Sequence, residues 1–497
     1  MAKANECAGL IISLLSLTLL ANNSNAYHFD QPPTPAKDSV VKPASLKYRN
    51  MNFIKRVFLG KNYRDEWATP VKMPVFDIKK VNGGFTIVEL GGGQQTKSLR
   101  LKDKNGVEWV LRTVDKDVEK ALQPQFRKTF VRKIVQDMVS ASHPYAPLTI
   151  PELARAANVV APRPVLYFIP DDPALGEFRS IFANQVCMLE EREPTPDRSD
   201  TENTEDVLQE LMEENDHLVM QEQVLRARLL DMLIADWDRH ADQWRWGQVD
   251  SGDATLFYVI PRDRDFAYFN SGGLLTKIVS TVSIPHMRGF TKESKALKKL
   301  NAKTWFFDHN FLNELDAESW KRIISEFQQS ITDSVIHKAV TRMPPEVYAI
   351  SGREIESKLR SRRDGLLKNG MKYYEELAAS VHVMGTDKSD FFHITGEGDN
   401  VTVSVYNYNG KDTGMMVYRR VFKRNETYEI NLEGFGENDH FEIDDDVSSR
   451  IRLRISGGDG KDSYTNKGKI RKKIEGIEVS ATDPGNLAGK RTALSPR

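Results

Sequence analysis

The residues best suited to chemistry lie near the middle of the chain, in the loop that follows an apolar helix. This loop holds carboxylate, imidazole and amide side chains: Asp236, Asp238, His240 and Gln243. Alternating apolar residues over 244–249 and 256–260 then predict a β-hairpin, which leads directly to Asp263 and Asp265. Because the second strand of a hairpin ends beside the start of the first, we expect the loop and these later carboxylates to lie close together at the open end of the hairpin.

This combination of side chains suits phosphoryl transfer. That reaction needs one carboxylate to accept the proton of a hydroxyl group and another to hold Mg²⁺ against the phosphates. Mg²⁺ takes oxygen ligands and keeps several waters, so one or two carboxylates and a side-chain amide suffice. A loop of the form Asp-x-His-x-x-Gln, followed by a strand that ends in Asp, supplies this set. Acidic and basic residues alternate here, however, so a structural network of ion pairs is the alternative interpretation.

The elements before this loop have mixed periodicity. Alternation predicts strands over 85–90, 98–101 and 109–114, with a tight turn at Asn105-Gly106, and further strands over 159–169 and 182–189. Helical spacing of apolar residues predicts a helix over 125–142. The acidic stretch 190–216 is typical of a solvated loop leading into a surface helix.

The elements after the loop divide into two kinds. Residues 274–380 are predicted to be mostly helical, and after about 385 the pattern alternates as in an all-β domain. Residues 457–464 fit one calcium-binding nonapeptide repeat, and residues 434–441 are a degenerate copy. Calcium ribbons need several such repeats in register. Turn formation is therefore the plainer interpretation, with Ca²⁺ at Asp459 and Asp462 as the alternative.

Composition and the N-terminus restrict the function classes. Lys and Arg total 70 and Asp and Glu total 70, so the formal net charge is zero, which argues against a nucleic-acid partner. An apolar run over 9–21, followed by the small residues of Ser24-Asn25-Ala26, predicts a signal peptide cleaved after Ala26. We therefore expect a periplasmic or extracellular mature chain without a membrane span. Cys7 lies within the signal peptide, so Cys187 is expected to be a small buried apolar residue.

The order of these elements resembles an atypical protein-kinase-like fold. The Asp-Arg-His sequence at 238–240 is similar to the catalytic loops of HipA-type, secretory-pathway and CotH spore-coat kinases. More closely, four segments resemble a region of large exported Bacteroidetes-type envelope proteins, in which a metallophosphoesterase and a surface-antigen barrel often flank it: 64–70, 91–100, 110–117 and 261–265. The resemblance extends over roughly residues 48–465.

The resemblance implies a role for each matching position. Asp238 matches the catalytic base, with His240 in the same catalytic loop, and the metal ligands would be Gln243 with either Asp263 or Asp265. The nucleotide phosphates would lie against the following residues: Gly91, Gly92, Gly93, Arg112 and Lys116. Arg112 occupies the place of the phosphate-pairing lysine of kinases, which Lys116 could replace, and Asp137 is the candidate for the acid that pairs with that lysine.

We therefore predict an α+β fold class, with an atypical protein-kinase-like bilobal domain followed by a small all-β domain. The predicted divisions are a signal peptide (1–26), an extended lead-in (27–50), an N-lobe (51–190), a mostly helical C-lobe with the catalytic loop and hairpin (191–380), an all-β domain (385–470) and a basic disordered tail (471–497).

The predicted function is that of an exported phosphotransferase that uses ATP or another nucleotide with Mg²⁺ or Mn²⁺. Its acceptor would be an envelope protein, a lipid or a glycan. One alternative is a catalytically inactive kinase-like module that binds a partner in envelope assembly. A second is a metal-dependent phosphoester hydrolase that uses Asp236, Asp238, His240 and Asp263.

Overall fold

The computed structural model describes residues 38–92, 96–120, 122–197, 199–274, 286–287, 289–294 and 297–467. The predicted signal peptide and C-terminal tail, most of the lead-in before residue 38, and Gly93 lie outside the described residues. Within the described part of the chain, no helix is long and apolar enough to cross a membrane.

The chain has a mixed α+β architecture, with N-terminal sheets, a helical middle and a β-rich C-terminal part. The strands are β1 Ser39–Lys42, β2 Val71–Pro74, β3 Phe85–Gly91, β4 Ser98–Asp103, β5 Glu108–Thr113, β6 Val165–Phe168, β7 Val186–Glu191, β8 His217–Val219, β9 Trp244–Asp250, β10 Thr255–Pro261, β11 Ser380–Met384, β12 Asp390–Glu397, β13 Asn400–Tyr408, β14 Thr413–Phe422, β15 Glu429–Glu433, β16 His440–Ile443, β17 Arg452–Ser456 and β18 Ser463–Asn466. The α-helices are α1 Phe53–Leu59, α2 Arg64–Ala68, α3 Phe130–Met138, α4 Ile150–Ala156, α5 Arg179–Phe182, α6 Thr204–Glu213, α7 Gln221–Ile234, α8 Leu297–Leu300, α9 Trp305–Phe311, α10 Ala317–Ser330, α11 Asp333–Val340, α12 Pro345–Val347, α13 Arg353–Asp364 and α14 Leu366–Ala378.

An antiparallel five-stranded sheet, in the order β3-β4-β5-β7-β6, forms the N-terminal layer. Leu99, Leu111 and Leu189 lie side by side on one face and are fully buried. Arg112 lies on the opposite face of the central strand, because side chains alternate between the faces of a strand. Burial of these leucines fixes the register of the strands, and this register places Arg112 on the other face of the sheet.

The predicted strands and helix before the loop are confirmed in outline, but one strand and the helix are clearly shorter than expected. The strand predicted over 159–169 forms only from Val165, since Pro162 and Pro164 lack the N–H groups that a ladder needs. The helix predicted over 125–142 is regular only in α3, with 3₁₀ turns at both ends. The turn at Asn105-Gly106 is present, with Gly106 at φ 84°.

Helix α7 and the hairpin β9–β10 form the scaffold around the candidate loop. The C-terminal half of α7 is fully buried, and Ala235 ends the helix in the left-handed conformation at φ 55°. The hairpin pairs over its whole length, from Trp244 opposite Pro261 to Asp250 opposite Thr255. The loop after α7 and the segment after β10 consequently start from the same end of this hairpin.

The β-rich part begins at Ser380, before the predicted boundary at 385, and winds as three stacked coils. The parallel strands β11, β15 and β17 form one sheet, and β12, β16 and β18 are parallel neighbours in the other. A turn joins the two sheets in each coil, at residues 385–390, 434–439 and 457–462. The nonapeptide-like segment thus occurs three times in register. The first copy was missed in the sequence analysis because Thr386 and Lys388 replace the glycines that stand at 458 and 460 in the third copy.

Close stacking of these turns makes a testable demand on Gly458. Gly458 has φ +89°, and an ideal Cβ on it would lie 2.1 Å from the carbonyl oxygen of Phe435 in the preceding coil. We expect Gly458→Ala to lower the free energy of unfolding of the β-rich part by about 2–4 kcal/mol, from left-handed strain and overpacking together. Urea unfolding followed by tyrosine fluorescence measures this change.

Gly398→Ala is the matched control for that substitution. Gly398 also has a positive φ, +63°, but its Cβ would meet no atom within 4 Å. This variant should therefore lose only the ~1–2 kcal/mol of backbone strain. Equal losses in the two variants would contradict the close stacking of the coils.

Candidate active site

Basic residues of the N-terminal sheet meet the carboxylates that follow the hairpin. The Arg112 guanidinium lies 3.1 Å from the Glu190 carboxylate and 3.2 Å from that of Asp263. Lys116 Nζ lies 3.0 Å from Asp265 Oδ2. The structure thus brings the predicted phosphate-binding residues into direct contact with the predicted metal ligands.

A buried arginine positions the segment that carries Asp263. The guanidinium of Arg239 donates hydrogen bonds to the carbonyl oxygens of Arg262, at 2.5 Å, and Gln243, at 3.0 Å. It also lies over the ring of Trp244, 4.4 Å from its centroid. Because Gln243 precedes β9 and Arg262 follows β10, these bonds join the two chain segments at the open end of the hairpin. The chain then turns sharply at Asp263, which has a positive φ of 53°.

The two carboxyls after the hairpin differ in their affinity for protons. Burial opposes ionisation of Asp263, but Arg112 and Lys116 outweigh it and lower the pKa of this carboxyl below its ordinary value. Burial raises the pKa of Asp265, although Lys116 opposes this. The surroundings therefore favour the charged form of Asp263 more than that of Asp265, and Asp263 is the better suited of the two to hold a cation.

Asp238 belongs to the same electrostatic cluster. Its carboxylate pairs with Lys303, and its backbone N–H donates to Asp236 Oδ1 at 3.3 Å. Burial disfavours the charged form of Lys116, but three neighbouring carboxylates outweigh burial and raise its pKa: Asp265, Asp263 and Asp238. Carboxylates of the loop and of the segment after the hairpin thus both stabilise the charged form of Lys116.

Gln243 connects the loop to the later carboxylates. Its Nε2 lies 3.5 Å from Asp263 Oδ2 and 3.2 Å from His240 Nε2. The His240 side chain is 41% exposed, and its Nδ1 lies 3.4 Å from the carboxylate of Asp242. His240 is therefore placed at the rim of the cluster, where it can orient Gln243.

The predicted glycine turn lies at the same end of the sheet as Arg112. Gly91 pairs with Ser98, which pairs in turn with Arg112. Gly92 has φ +110°, and a Cβ there would lie 2.4 Å from the carbonyl oxygen of Thr96. The close approach of Thr96 therefore requires glycine at 92, whether or not a phosphate binds there. Gly93 lies outside the described residues.

The acid that pairs with the central basic residue is Glu190, and the expectation of Asp137 in that place is wrong. Asp137 instead accepts a hydrogen bond of 2.9 Å from Arg64, on α2. Glu190 reaches Arg112 because β7 pairs with β5 in the sheet. The sequence held a weak signal for this residue, since two glutamates end an otherwise apolar strand.

Part of the acidic and basic run is structural, as the alternative interpretation expected. Asp231 is fully buried and pairs with Arg228 and Arg264. Asp236 is also buried: its backbone N–H donates to the Asp231 carbonyl oxygen at 3.0 Å, and Arg264 lies 3.6 Å from its carboxylate. Burial raises the pKa of Asp236 to about 7, against the opposing effect of Arg239. These residues hold the loop in place.

Nothing in the described part of the chain forms a preassembled multi-ligand metal centre. No group of three or more His, Cys, Asp or Glu side chains is close enough there to share an ion. The four residues named for a metal-dependent hydrolase are thus not gathered around one point. A site with one or two carboxylates, an amide and several waters is compatible with this geometry.

The comparison with solved structures finds a distant likeness to a kinase, whereas the comparisons of sequence find none. No family model matches the sequence, and no curated protein matches it. Among solved structures, a Helicobacter pylori proinflammatory kinase, CtkA, matches at 10% sequence identity with a TM-score of 0.33. The match covers 60% of this chain and 99% of that chain. A TM-score this low does not establish a common fold.

The pairing of Arg112 leads to a prediction about stability. Arg112→Gln would leave Glu190 and Asp263 close together without their cation. We expect a loss of about 2–3 kcal/mol in the free energy of unfolding, less than for a fully buried pair because the Asp263 side chain is 30% exposed. Urea denaturation measures the change.

Arg100→Gln serves as the control on the same face of the sheet. Arg100 lies 3.1 Å from Glu89, whose side chain is 55% exposed, so its loss should change stability by less than ~1 kcal/mol. If Arg112→Gln were as mild as Arg100→Gln, Arg112 would not hold the cluster together.

Proposed function

We propose that the charged cluster between the five-stranded sheet and the hairpin binds a nucleotide with Mg²⁺ and transfers its terminal phosphoryl group to a hydroxyl acceptor. The observation that carries the proposal is the contact of Arg112 and Lys116 with Asp263 and Asp265, beside Asp238. Phosphoryl transfer needs cations for the phosphates, carboxylates for the metal and a base for the hydroxyl, and one cluster offers all three.

The proposed roles follow from the charges. Arg112 and Lys116 would bind phosphate oxygens, since a guanidinium fork and an ammonium both pair with phosphate. Asp263, aided by Asp265 and the Gln243 amide oxygen, would hold Mg²⁺. When bound, this ion would neutralise charge that develops on the phosphates. The glycine turn at 91–92 would lie over the phosphates, because it shares the Arg112 end of the sheet.

Asp238 would accept the proton of the acceptor hydroxyl. The hydroxyl oxygen then forms a bond to the terminal phosphorus, and the bond from that phosphorus to the bridging oxygen breaks. The Lys303 ammonium pairs with the Asp238 carboxylate and must release it as the hydroxyl approaches. His240, through its contact with Gln243, would help to orient the amide toward the metal.

A specific observation favours a second candidate function, a binding module without catalysis. Three acids of the cluster already have a basic partner: Asp238 with Lys303, Asp263 with Arg112 and Asp265 with Lys116. A nucleotide and its metal would have to break these pairs. If breaking the ion pairs costs more free energy than the contacts with a nucleotide would return, the cluster is structural. The β-rich part is then the better candidate for docking a partner.

We propose that the mature chain is located outside the cytoplasm, because the sequence predicts a signal peptide. The acceptor is then an envelope or extracellular protein, lipid or glycan that offers a hydroxyl group. Since ATP is scarce in that compartment, another nucleotide remains a candidate donor.

Asp238→Asn tests the proposed base. With ATP, GTP or another nucleotide and Mg²⁺ or Mn²⁺, the wild-type protein should transfer labelled phosphate to itself or to an envelope extract. The variant should lose about 10²–10⁴-fold in rate, the usual contribution of a general base. Asp253→Asn is the control, because this exposed carboxylate lies in the turn between β9 and β10, at the opposite end of the hairpin, and should leave the rate unchanged.

Melting temperatures separate the two candidate functions. A nucleotide that binds the folded cluster should raise the melting temperature by mass action, and more so with the metal present. The enzyme proposal fails if no nucleotide raises it, if no transfer is detected, and if Asp238→Asn keeps its biological activity. That set of results would establish the binding module.

A further inference from the structure

A row of carboxylates runs along one edge of the β-rich coils, separate from the cluster described above. The last residue of each turn contributes one member: Asp390, Asp439 and Asp462. The backbone N–H of Asp390 donates to Asp439 Oδ1 at 2.8 Å, and that of Asp439 donates to Asp462 Oδ1 at 3.0 Å. The Asp439 and Asp462 carboxylates are thus each held by the coil before, and the Asp390 carboxylate is held by Thr386 of its own turn.

Two of these carboxylates keep a buried oxygen without a partner. Asp390 is 0% exposed and Asp439 is 1% exposed. Asp390 Oδ1 and Asp439 Oδ2 accept no hydrogen bond from any described residue, and neither side chain takes part in an ion pair within the described ranges. A buried carboxylate oxygen with no donor is destabilising, so each such atom in a native fold needs an explanation, and an unplaced ion is one.

Further oxygens converge beside the row, over the first glycine of a turn. An ideal Cβ on Gly434 would lie 1.9 Å from Asp439 Oδ2 and 2.6 Å from the carbonyl oxygen of Gly457 in the next coil. A Cβ on Gly385 would lie 2.7 Å from Asp390 Oδ2 and 3.0 Å from the carbonyl oxygen of Gly434. At both steps, a carboxylate and a carbonyl from neighbouring coils therefore lie against the glycine. The facing oxygen is the unpartnered one at Gly434, whereas Asp390 Oδ2 at Gly385 also accepts hydrogen bonds from Thr386.

We propose that this row binds Ca²⁺ between neighbouring coils. Ca²⁺ accepts six to eight oxygen ligands from carboxylates, backbone carbonyls and water in flexible geometry, whereas Mg²⁺ demands a near-ideal octahedron. The described part of the chain gathers no group of three acidic or imidazole side chains, so each ion takes a minority of its ligands from the row. Backbone carbonyls and waters supply the rest.

The structure changes the ligands that the sequence suggested. Asp459 is exposed in the turn of the third coil, so it is not part of the row, while Asp462 is its last member. Asp390 and Asp439 come from the first two coils, and the binding sites lie between coils. A single repeat could therefore not form them.

Calcium binding is tested on the full-length mature protein without nucleotide. After treatment with a chelator and dialysis, the protein is melted with about 10 mM CaCl₂ or MgCl₂, a large excess over the ~10⁻⁴–10⁻³ M dissociation constants of extracellular calcium modules. We expect CaCl₂ to raise the melting temperature by several degrees and MgCl₂ to have little effect. The absence of both a melting shift and a binding heat with CaCl₂ would overturn the proposal.

Substitutions in the row place the ions. Asp439→Asn should abolish the calcium-dependent rise, while the melting temperature without calcium stays equal or increases because a buried charge is removed. Asp462→Asn, at the end of the stack, provides a second test if Asp439→Asn fails to fold. Asp412→Asn, exposed between β13 and β14, should keep the full rise. A calcium response that survives both row substitutions would overturn this site.

Discussion

The ion pairs of Arg112 with Glu190 and Asp263 are the interaction on which the candidate site depends. They join the central strand of the N-terminal sheet to the segment after the hairpin, two parts of the chain that are far apart in sequence. Charges this enclosed must find partners, because an isolated buried ion is strongly disfavoured. The same requirement that stabilises the junction of the two parts therefore concentrates acids and bases at one place.

This gathering of acidic and basic residues suits the proposed function as well as folding. Phosphates and a metal ion carry the same signs of charge as the acids and bases that now pair with each other. A bound nucleotide could therefore exchange partners with the cluster without leaving any charge unpaired. The lowered pKa of Asp263 and the raised pKa of Lys116 both favour charged forms, the forms that such an exchange requires.

The two carboxylate groups of the protein are held in contrasting ways. Near the hairpin, each acid has a basic side chain beside it, and Arg239 fixes the backbone from within. In the β-rich coils, the Asp390 carboxylate accepts from the Thr386 N–H of its own turn, the Asp439 carboxylate accepts from the Asp390 N–H of the preceding coil, and one oxygen of each has no donor among the described residues. The first arrangement gives each carboxylate a cation of the protein itself as partner, whereas in the second the proposed Ca²⁺ would balance the buried carboxylates.

Sequence alone determined the local elements. Period-two alternation identified the strands around Arg112, the hairpin and most of the C-terminal strands, because side chains on opposite faces of a strand meet different environments. An Asn-Gly pair identified its turn. The loop with Asp238 and Gln243 was singled out from residue types and spacing, and Gln243 lies 3.5 Å from Asp263.

Only the tertiary structure decided the partners. Glu190 rather than Asp137 faces Arg112, because the pairing of β7 with β5 cannot be read from either strand by itself. Asp236 proved to be a buried support of the loop, a role set by Arg264 and Asp231 around it. The first copy of the coil turn was hidden in sequence, since stacking constrains its backbone and its Asp390 but leaves most of its side chains free. Local patterns report local geometry, whereas charge pairing and coil register arise from contacts between segments distant in the chain.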